Sequence, residues 1–238
     1  MNHNYNQPPF GAPLSRRSTL TRGLVYAVNF NGGTSYQDSA RVAGPGTYIP
    51  ALTNLAHGVN RFGKFVEFTT AGTSHHIDWN GVPWIPTGGG MTVSMLYEKV
   101  DATNRAAVCW SVDVVLAGSA YYCHGATPHS DGNAYLQFGN TNLAVGGLTY
   151  GADHWIFSTG PRGMELWQNG ILVGSNASNP TRSTDVTHVF KIGAGLSALG
   201  FVADLCRYNS LCMWDRELNL REIWTLNTDP YAPWRDPV

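Results

Sequence analysis

The sequence has 238 residues, and its 15 Lys and Arg residues nearly balance 16 Asp and Glu residues, for a formal net charge of -1. This balance excludes a general electrostatic affinity for nucleic acid or anionic membranes. Charged residues make up only 13% of the chain, about half the roughly 25% of an ordinary soluble domain. Because long exposed helices need Glu and Lys on their wet side, this composition favours short strands joined by turns, in agreement with 27 Gly and 13 Pro.

The sequence shows neither an export signal nor a membrane helix. Its first ten residues, MNHNYNQPPF, lack a basic start and an apolar core, and no apolar run approaches the roughly 18 residues of a membrane span. We therefore expect no membrane association. The cysteines form no CxxC pair, which argues against a zinc ribbon or a redox motif. Buried free thiols are predicted for Cys109, Cys123, Cys206 and Cys212.

The predicted elements begin with a polar, proline-containing arm over residues 1–22, which has no periodic apolar face. From Leu24 onward, short runs alternate apolar and polar residues between turn residues, as in β-sandwiches and jelly rolls. The predicted extended runs are 24–30, 64–70, 91–100, 106–112, 134–139, 143–150, 154–160, 164–175, 189–193 and 202–214.

Two local signals within this pattern are specific. Asn169-Gly170 lies between two alternating runs, and this dipeptide is a strong signal for a two-residue β-hairpin. Near the C-terminus, Asn219 is followed three residues later by Glu222, which predicts a capped helix of one or two turns. The sequence therefore predicts an all-β fold with one short C-terminal helix.

No linker divides the core, so one domain is predicted over residues 23–226, with a C-terminal tail over 227–238. Polar termini are normally mobile unless something holds them. We expect the arm and the tail either to grip neighbouring chains or to fold back onto their own domain. The residues predicted to anchor them to partners are Tyr5, Phe10, Arg16, Arg17, Tyr231 and Trp234.

Several phrases along the chain occur in a characteristic order. GLVYAVNFNGG is followed by GKFVEFTTAGTSHHIDW, MTVSMLYEK, HWIFSTGPRGMELWQNGILVGS, FKIG and LCMWDRELNLREIWTLNTDPY. This order resembles the laminin-G-like, concanavalin-A-like jelly rolls of the bacteriophage-encoded type, over about residues 23–231. The resemblance implies an antiparallel two-sheet sandwich. The chain departs from the family over residues 41–63 and 113–133.

Catalytic and metal-binding patterns are weak. Retaining glycosidases need two carboxylates about 5 Å apart, and here only Asp215 and Glu217 stand two residues apart, in a segment predicted to form a turn. A transition-metal site on His75 and His76 is disfavoured because adjacent strand residues face opposite sides. The family often binds calcium, but a lone Asp38 is a poor ligand set. We expect no catalytic site, metal or other cofactor.

Eight tryptophans offer candidates for core packing and for ligand stacking. The periodic segments predict a core position for Trp110, Trp155, Trp167, Trp214 and Trp224. Trp79 and Trp84 flank a loop-like stretch, where exposed rings can stack on a sugar or a partner, or hold the loop to its own domain. The predicted glycan or partner surface comprises Trp79, Trp84, Tyr121 and Tyr122.

The leading functional prediction is a non-catalytic bacteriophage virion protein, a capsid decoration or a fibre or spike component. It implies localisation in the virion, contacts with the major capsid protein or other virion proteins, and a homo-oligomer, with a trimer expected from the class. Combined with glycan binding, this function implies adhesion of the virion to host-surface glycans. The alternative is a carbohydrate-binding lectin module that is not part of a virion. A divergent glycoside hydrolase, acting through Glu67 or Glu98, is the third possibility.

Overall fold

The structure of the protein is a computed structural model. It describes residues 7–9, 12–30, 36–37, 39–40, 45–49, 55–69, 76–80, 90–100, 108–112, 125–128, 134–138, 141–148, 151–178, 188–192 and 206–236.

These residues form strands from one end to the other, followed by one α-helix. The strands are β1 (Leu24–Asn29), β2 (Tyr36–Gln37), β3 (Pro45–Ile49), β4 (Leu55–Asn60), β5 (Gly63–Phe68), β6 (His76–Asn80), β7 (Met91–Lys99), β8 (Val108–Val112), β9 (Gly125–Pro128), β10 (Ala134–Phe138), β11 (Thr141–Val145), β12 (Ala152–Gly160), β13 (Gly163–Gln168), β14 (Ile171–Asn176), β15 (His188–Ile192) and β16 (Cys206–Trp214). The helix is α1 (Leu220–Thr228), and short 3₁₀ turns occupy Thr19–Thr21 and Ala232–Trp234.

The described strands pair antiparallel in three sheets. The main sheet has the order β14-β13-β12-β7-β16-β5-β4, and β1 also pairs with β16. A five-stranded sheet has the order β2-β3-β6-β15-β8, and a three-stranded sheet has the order β11-β10-β9. The predicted all-β antiparallel fold with one short C-terminal helix is confirmed, although the described strands divide among three sheets where two were predicted.

The centre of the main sheet is buried on both faces. Successive residues of a strand point to opposite sides of the sheet. Met95 and Phe157 therefore face one apolar cluster, which also includes Leu143 of β11. Leu96 and Ile156 face a second cluster, which includes apolar residues of α1, the arm and the tail. Burial on both sides explains why the central strands β7, β12 and β16 are almost continuously buried along their length.

β4 lies in the stretch where the sequence predicted no strand. Its burial alternates between half-buried and exposed from Gly58 to Asn60, and Val59 is 73% exposed. The ring of Phe65 in β5 occupies the space beside Gly58, where an added Cβ would lie 2.4 Å from it. Pairing with β5 therefore decides that this weakly apolar segment is a strand.

Both specific local signals are confirmed. Asn169 and Gly170 adopt positive φ angles of 49° and 85° between β13 and β14, as the tight hairpin turn requires. At the start of α1, the Glu222 N–H donates to the Asn219 side chain at 3.0 Å, and the Asn219 N–H donates to the Glu222 carboxylate at 3.0 Å. The capping box thus fixes where the helix begins.

Replacing Asn219 with Ala should remove half of this capping box. Because the Glu222 N–H would lose its acceptor, we expect the free energy of unfolding to fall by about 1 kcal/mol. Chemical denaturation measures this difference, and Asn219→Ser, which retains a capping oxygen, serves as the matched control. Equal losses in the two variants would contradict a capping role.

The core predictions are partly confirmed. Trp155 and Trp214 are buried and Trp167 is half-buried, while the side chain of Trp110 lies outside the described residues. The prediction for Trp224 is wrong, since this side chain is 70% exposed. Cys206 and Cys212 are buried thiols on β16, as predicted.

Candidate functional site

The arm packs against the tail of its own chain. The backbone N–H of Ser15 donates to the carbonyl of Pro233 at 2.9 Å, and its hydroxyl donates to the Asp236 carboxylate at 2.6 Å. Leu20 is buried, and its carbonyl accepts a hydrogen bond from the Trp214 indole. These contacts hold residues 15–20 beside the C-terminus of the chain.

The tail residues predicted to bind partners lie instead inside the chain's own core. Tyr231 is fully buried, and its hydroxyl donates to the Phe62 carbonyl at 2.8 Å. Burial raises the pKa of this phenol above its ordinary value. Trp234 is also buried, with its ring centroid 6.2 Å from that of Tyr231. Both rings therefore serve intrachain packing and are not exposed to a partner.

Of the other predicted site residues, only Arg16, Arg17 and the backbone of Trp79 lie within the described part of the chain. Arg16 and Arg17 are exposed on the arm. Trp79 lies in β6, opposite Phe190 of β15, rather than in a loop as predicted. The side chain of Trp79 and the whole of Tyr5, Phe10, Trp84, Tyr121 and Tyr122 lie outside the described residues.

A cleft of about 950 Å³ lies between the arm, α1 and the tail. It is strongly charged, because five arginines and three carboxylate residues line it. Five of the chain's 15 Lys and Arg residues thus gather at one place. The cleft residues come from sequence positions nearly 220 apart, so no local motif could have revealed the site.

Two ion pairs organise the cleft. Arg216 donates from both terminal nitrogens to the Glu222 carboxylate at 2.7 Å each, and Arg235 donates to Asp229 at 2.9 Å. Burial by itself would raise the pKa of Glu222, but hydrogen bonds from Arg216 and from the Asn219 backbone bring it below its ordinary value. Glu222 is therefore a fixed anion at neutral pH.

Trp224 lies on the exposed side of α1 and is not itself part of the cleft lining. Its neighbours Ile223 and Leu226 are buried, and a step of about 100° per residue turns Trp224 away from that face. Arg221, which lines the cleft, lies three residues before Trp224, and side chains at this spacing are neighbours on a helix surface. A helical projection of the predicted helix would have revealed this exposed ring.

The acidic residues considered for hydrolysis are bridged by arginine. Arg207 of β16 donates to Glu67 of β5 at 2.8 Å and to Glu98 of β7 at 3.1 Å. Hydrogen bonding to Glu67 raises the pKa of the Arg207 guanidinium above its ordinary value. One guanidinium therefore engages both carboxylates, whereas a retaining glycosidase needs its two carboxyl groups free to act on the glycosidic bond.

A second acidic pair lies near the start of α1. One nitrogen of Arg162 lies 3.0 Å from Glu165 and 3.3 Å from Glu217, and both acidic side chains are only 9% exposed. Burial raises the pKa of the Glu217 carboxyl, and the charge of Arg162 opposes this rise. The arginine lies between the carboxylates and ties the turn after β12 to the segment after β16.

Metal and membrane sites find no support in the described part of the chain. It contains no group of three or more His, Cys, Asp or Glu side chains that could hold a metal ion. Asp38 and His75 lie outside the described residues. Among the residues covered by the structure, no helix has the length and apolar character needed to span a membrane.

No protein-family model matches the sequence, and no curated protein matches it significantly. Solved structures do share its fold. Domain 4 of AbnA, a GH43 extracellular arabinanase from Geobacillus stearothermophilus solved with arabinotriose, is 17% identical with a TM-score of 0.65, and the match covers 86% of this chain and 98% of that domain.

Two other similar structures belong to longer proteins. A Trypanosoma rangeli sialidase mutant with trans-sialidase activity is 17% identical, with a TM-score of 0.64, over 87% of this chain and 33% of the sialidase. The binding domain of Paraclostridial Mosquitocidal Protein 1 is 13% identical, with a TM-score of 0.60, over 88% of this chain and 52% of that one. The chain thus spans about a third of the sialidase.

These likenesses define the class of fold. The chain is an antiparallel β domain with one short C-terminal helix, and its fold is similar to that of the arabinanase domain. The prediction of a bacteriophage virion structural protein is wrong, because the similar structures are parts of sialidases and of an arabinanase. The resemblance was carried by strand and turn patterns, which specify a sandwich without specifying its biological setting.

Proposed function

We propose that this chain is a non-catalytic carbohydrate-binding domain whose site is the cleft beside α1. The observation that carries the proposal is the 70% exposed indole of Trp224, which lies three residues after Arg221, a residue that lines that cleft. An exposed indole offers a flat apolar surface to a sugar ring, and polar side chains in an adjacent cleft can hydrogen-bond its hydroxyls. Contact with a ligand would remove the apolar indole surface from water, which is favourable for binding.

Two further observations support a binding role. The similar arabinanase domain was solved with arabinotriose, and the match covers 98% of that domain without the rest of the enzyme. Within the described residues, the two acidic pairs are each bridged by an arginine. In each pair the carboxylates are engaged by a guanidinium, whereas hydrolysis needs them free to act on the glycosidic bond.

A glycan array followed by titration calorimetry tests the proposal. We expect the wild type to bind at least one class of oligosaccharide, and Trp224→Ala to reduce the affinity about tenfold or more. Val59→Ala is the matched control, since Val59 is 73% exposed on β4 and does not line the cleft. Absence of all saccharide binding by the folded wild type would refute the function.

The surface predicted from the sequence supplies a second candidate site. Trp79→Ala combined with Trp84→Ala should leave binding intact if the ligand lies at Trp224. Loss of binding in this double variant, with Trp224→Ala unchanged, would keep the carbohydrate-binding function and move the site to that surface. Thermal unfolding of each variant shows whether a loss reflects the site or the fold.

A further inference from the structure

The cleft beside α1 carries more positive charge than its own carboxylates neutralise. Its lining contains five arginines against three acidic residues, so its local net charge is +2 in a chain whose overall charge is -1. An excess of one sign in a confined space raises the local concentration of ions of the opposite sign. The cleft is therefore a place where an anionic group is favoured.

The carboxylates of the cleft already have partners. Glu222 accepts two hydrogen bonds from Arg216, and Asp229 accepts one from Arg235. Asp236 accepts its hydrogen bond from a serine hydroxyl of the arm. Two of the five arginines are thus committed to internal ion pairs.

The remaining arginines are Arg17, Arg22 and Arg221. All three are exposed, and within the residues that the structure describes none of them makes a side-chain hydrogen bond or an ion pair at 4 Å or less. The charge of Arg22 helps to lower the pKa of Glu222, but only through space. Three guanidinium groups therefore remain available to an external anion.

The backbone that carries these arginines is held in place. The Arg22 carbonyl accepts a hydrogen bond from Arg216 at 2.9 Å, and Leu20, between Arg17 and Arg22, is buried. The N-terminus of α1 is already capped by Asn219 and Glu222. The attraction for an anion therefore comes from the guanidinium groups and does not depend on free helix N–H groups.

We propose that this cleft selects acidic oligosaccharides, whose carboxylate or sulfate groups pair with Arg17, Arg22 and Arg221 while a sugar ring lies on Trp224. Guanidinium groups form two parallel hydrogen bonds with either anion. A neutral sugar would leave the three cations uncompensated. Arg221 and Trp224 are three residues apart on α1, so one saccharide can reach both side chains. This inference rests on the proposed carbohydrate-binding function and names its ligand class.

Titration calorimetry at 50 mM salt with three probes tests the selection. The probes are an oligogalacturonate for carboxylate, a sulfated galactan oligosaccharide for sulfate, and arabinotriose as a neutral ligand. We expect at least one acidic probe to bind about tenfold more tightly than arabinotriose. Raising the salt to 500 mM should weaken acidic binding, because it shortens the screening length.

Arg17→Gln combined with Arg221→Gln should lower affinity for the acidic probe about tenfold and leave that for arabinotriose within twofold. Arg16→Gln is the matched control, since Arg16 is exposed on the arm but does not line the cleft. Arg22→Gln, made separately, provides a second variant in case the double variant unfolds.

Several outcomes would overturn the inference. Equal affinity for acidic and neutral probes, or an equal loss in Arg16→Gln, would show that the cleft arginines do not select the ligand. Binding of a single-stranded oligonucleotide as tightly as the acidic saccharides would show general polyanion binding. If neutral saccharides alone bind, the carbohydrate-binding function survives without this selectivity, whereas failure of every saccharide removes both proposals.

Discussion

Replacing Tyr231 with Ala is expected to destabilise the domain by about 3–5 kcal/mol, as measured by chemical denaturation. The side chain is fully buried and joins the tail to the second cluster of the main sheet. Its removal would leave a cavity between α1 and the sheet and would deprive the Phe62 carbonyl of a donor. The loss of stability is large because Tyr231 is packed as a core residue, although it lies in the polar C-terminal tail.

Tyr231→Phe separates the two contributions. It retains the ring and removes only the hydroxyl that donates to Phe62, so we expect a loss of about 1–2 kcal/mol. Trp224→Ala is a further control, because it removes a large aromatic ring that is 70% exposed. A Tyr231→Ala variant as stable as Trp224→Ala would show that the tail does not pack onto the domain.

Acid is expected to destabilise the protein through His154 in β12. Burial lowers the pKa of His154 to about 3, and the charge of Arg61 adds to this effect. The unfolded chain takes up the proton near pH 6.5, whereas the folded chain does not. The contribution of the neutral His154 to the free energy of unfolding is therefore fully present above pH 6.5 and declines as the pH falls toward 3. Between pH 7.5 and pH 4.5, protonation of His154 in the unfolded chain should lower the free energy of unfolding by about 2–3 kcal/mol.

Urea denaturation at pH 7.5 and pH 4.5 measures this loss. His154→Gln should be less stable than the wild type at pH 7.5, because Ser94 would lose its hydrogen bond at 2.7 Å, but should show a smaller pH dependence. His57→Gln replaces an exposed histidine of β4 and should keep the wild-type pH dependence. Identical pH dependence in His154→Gln and the wild type would contradict a neutral, buried imidazole.

Much of the main sheet could be predicted from the sequence because its signals are local. The run beginning at Met91 alternates apolar and polar residues over most of its length, and Asn169-Gly170 can adopt the positive φ angles of a tight turn with little strain. The capping box at Asn219 likewise depends on residues only three apart. In each case the deciding contacts lie within one strand, one turn or one helix end.

The candidate site could not be predicted in this way. Arg17 and Arg22 flank a 3₁₀ turn on the arm, and Arg221 lies almost 200 residues later, on α1. Their proximity follows from the hydrogen bonds of Ser15 and Leu20 to the far end of the chain. Such a cluster has no characteristic residue spacing in the sequence, because no local structure fixes the distance between its members.

The sequence by itself determined that this chain forms antiparallel strands and ends in a capped helix, because hydrophobic alternation and backbone preferences act over a few residues. Only the tertiary structure decided that Tyr231 is a core residue, that Trp224 is exposed and that the arginines surround one cleft. The physical reason is that burial and electrostatic environment depend on which distant segments cover a residue, and that information is absent from any local pattern.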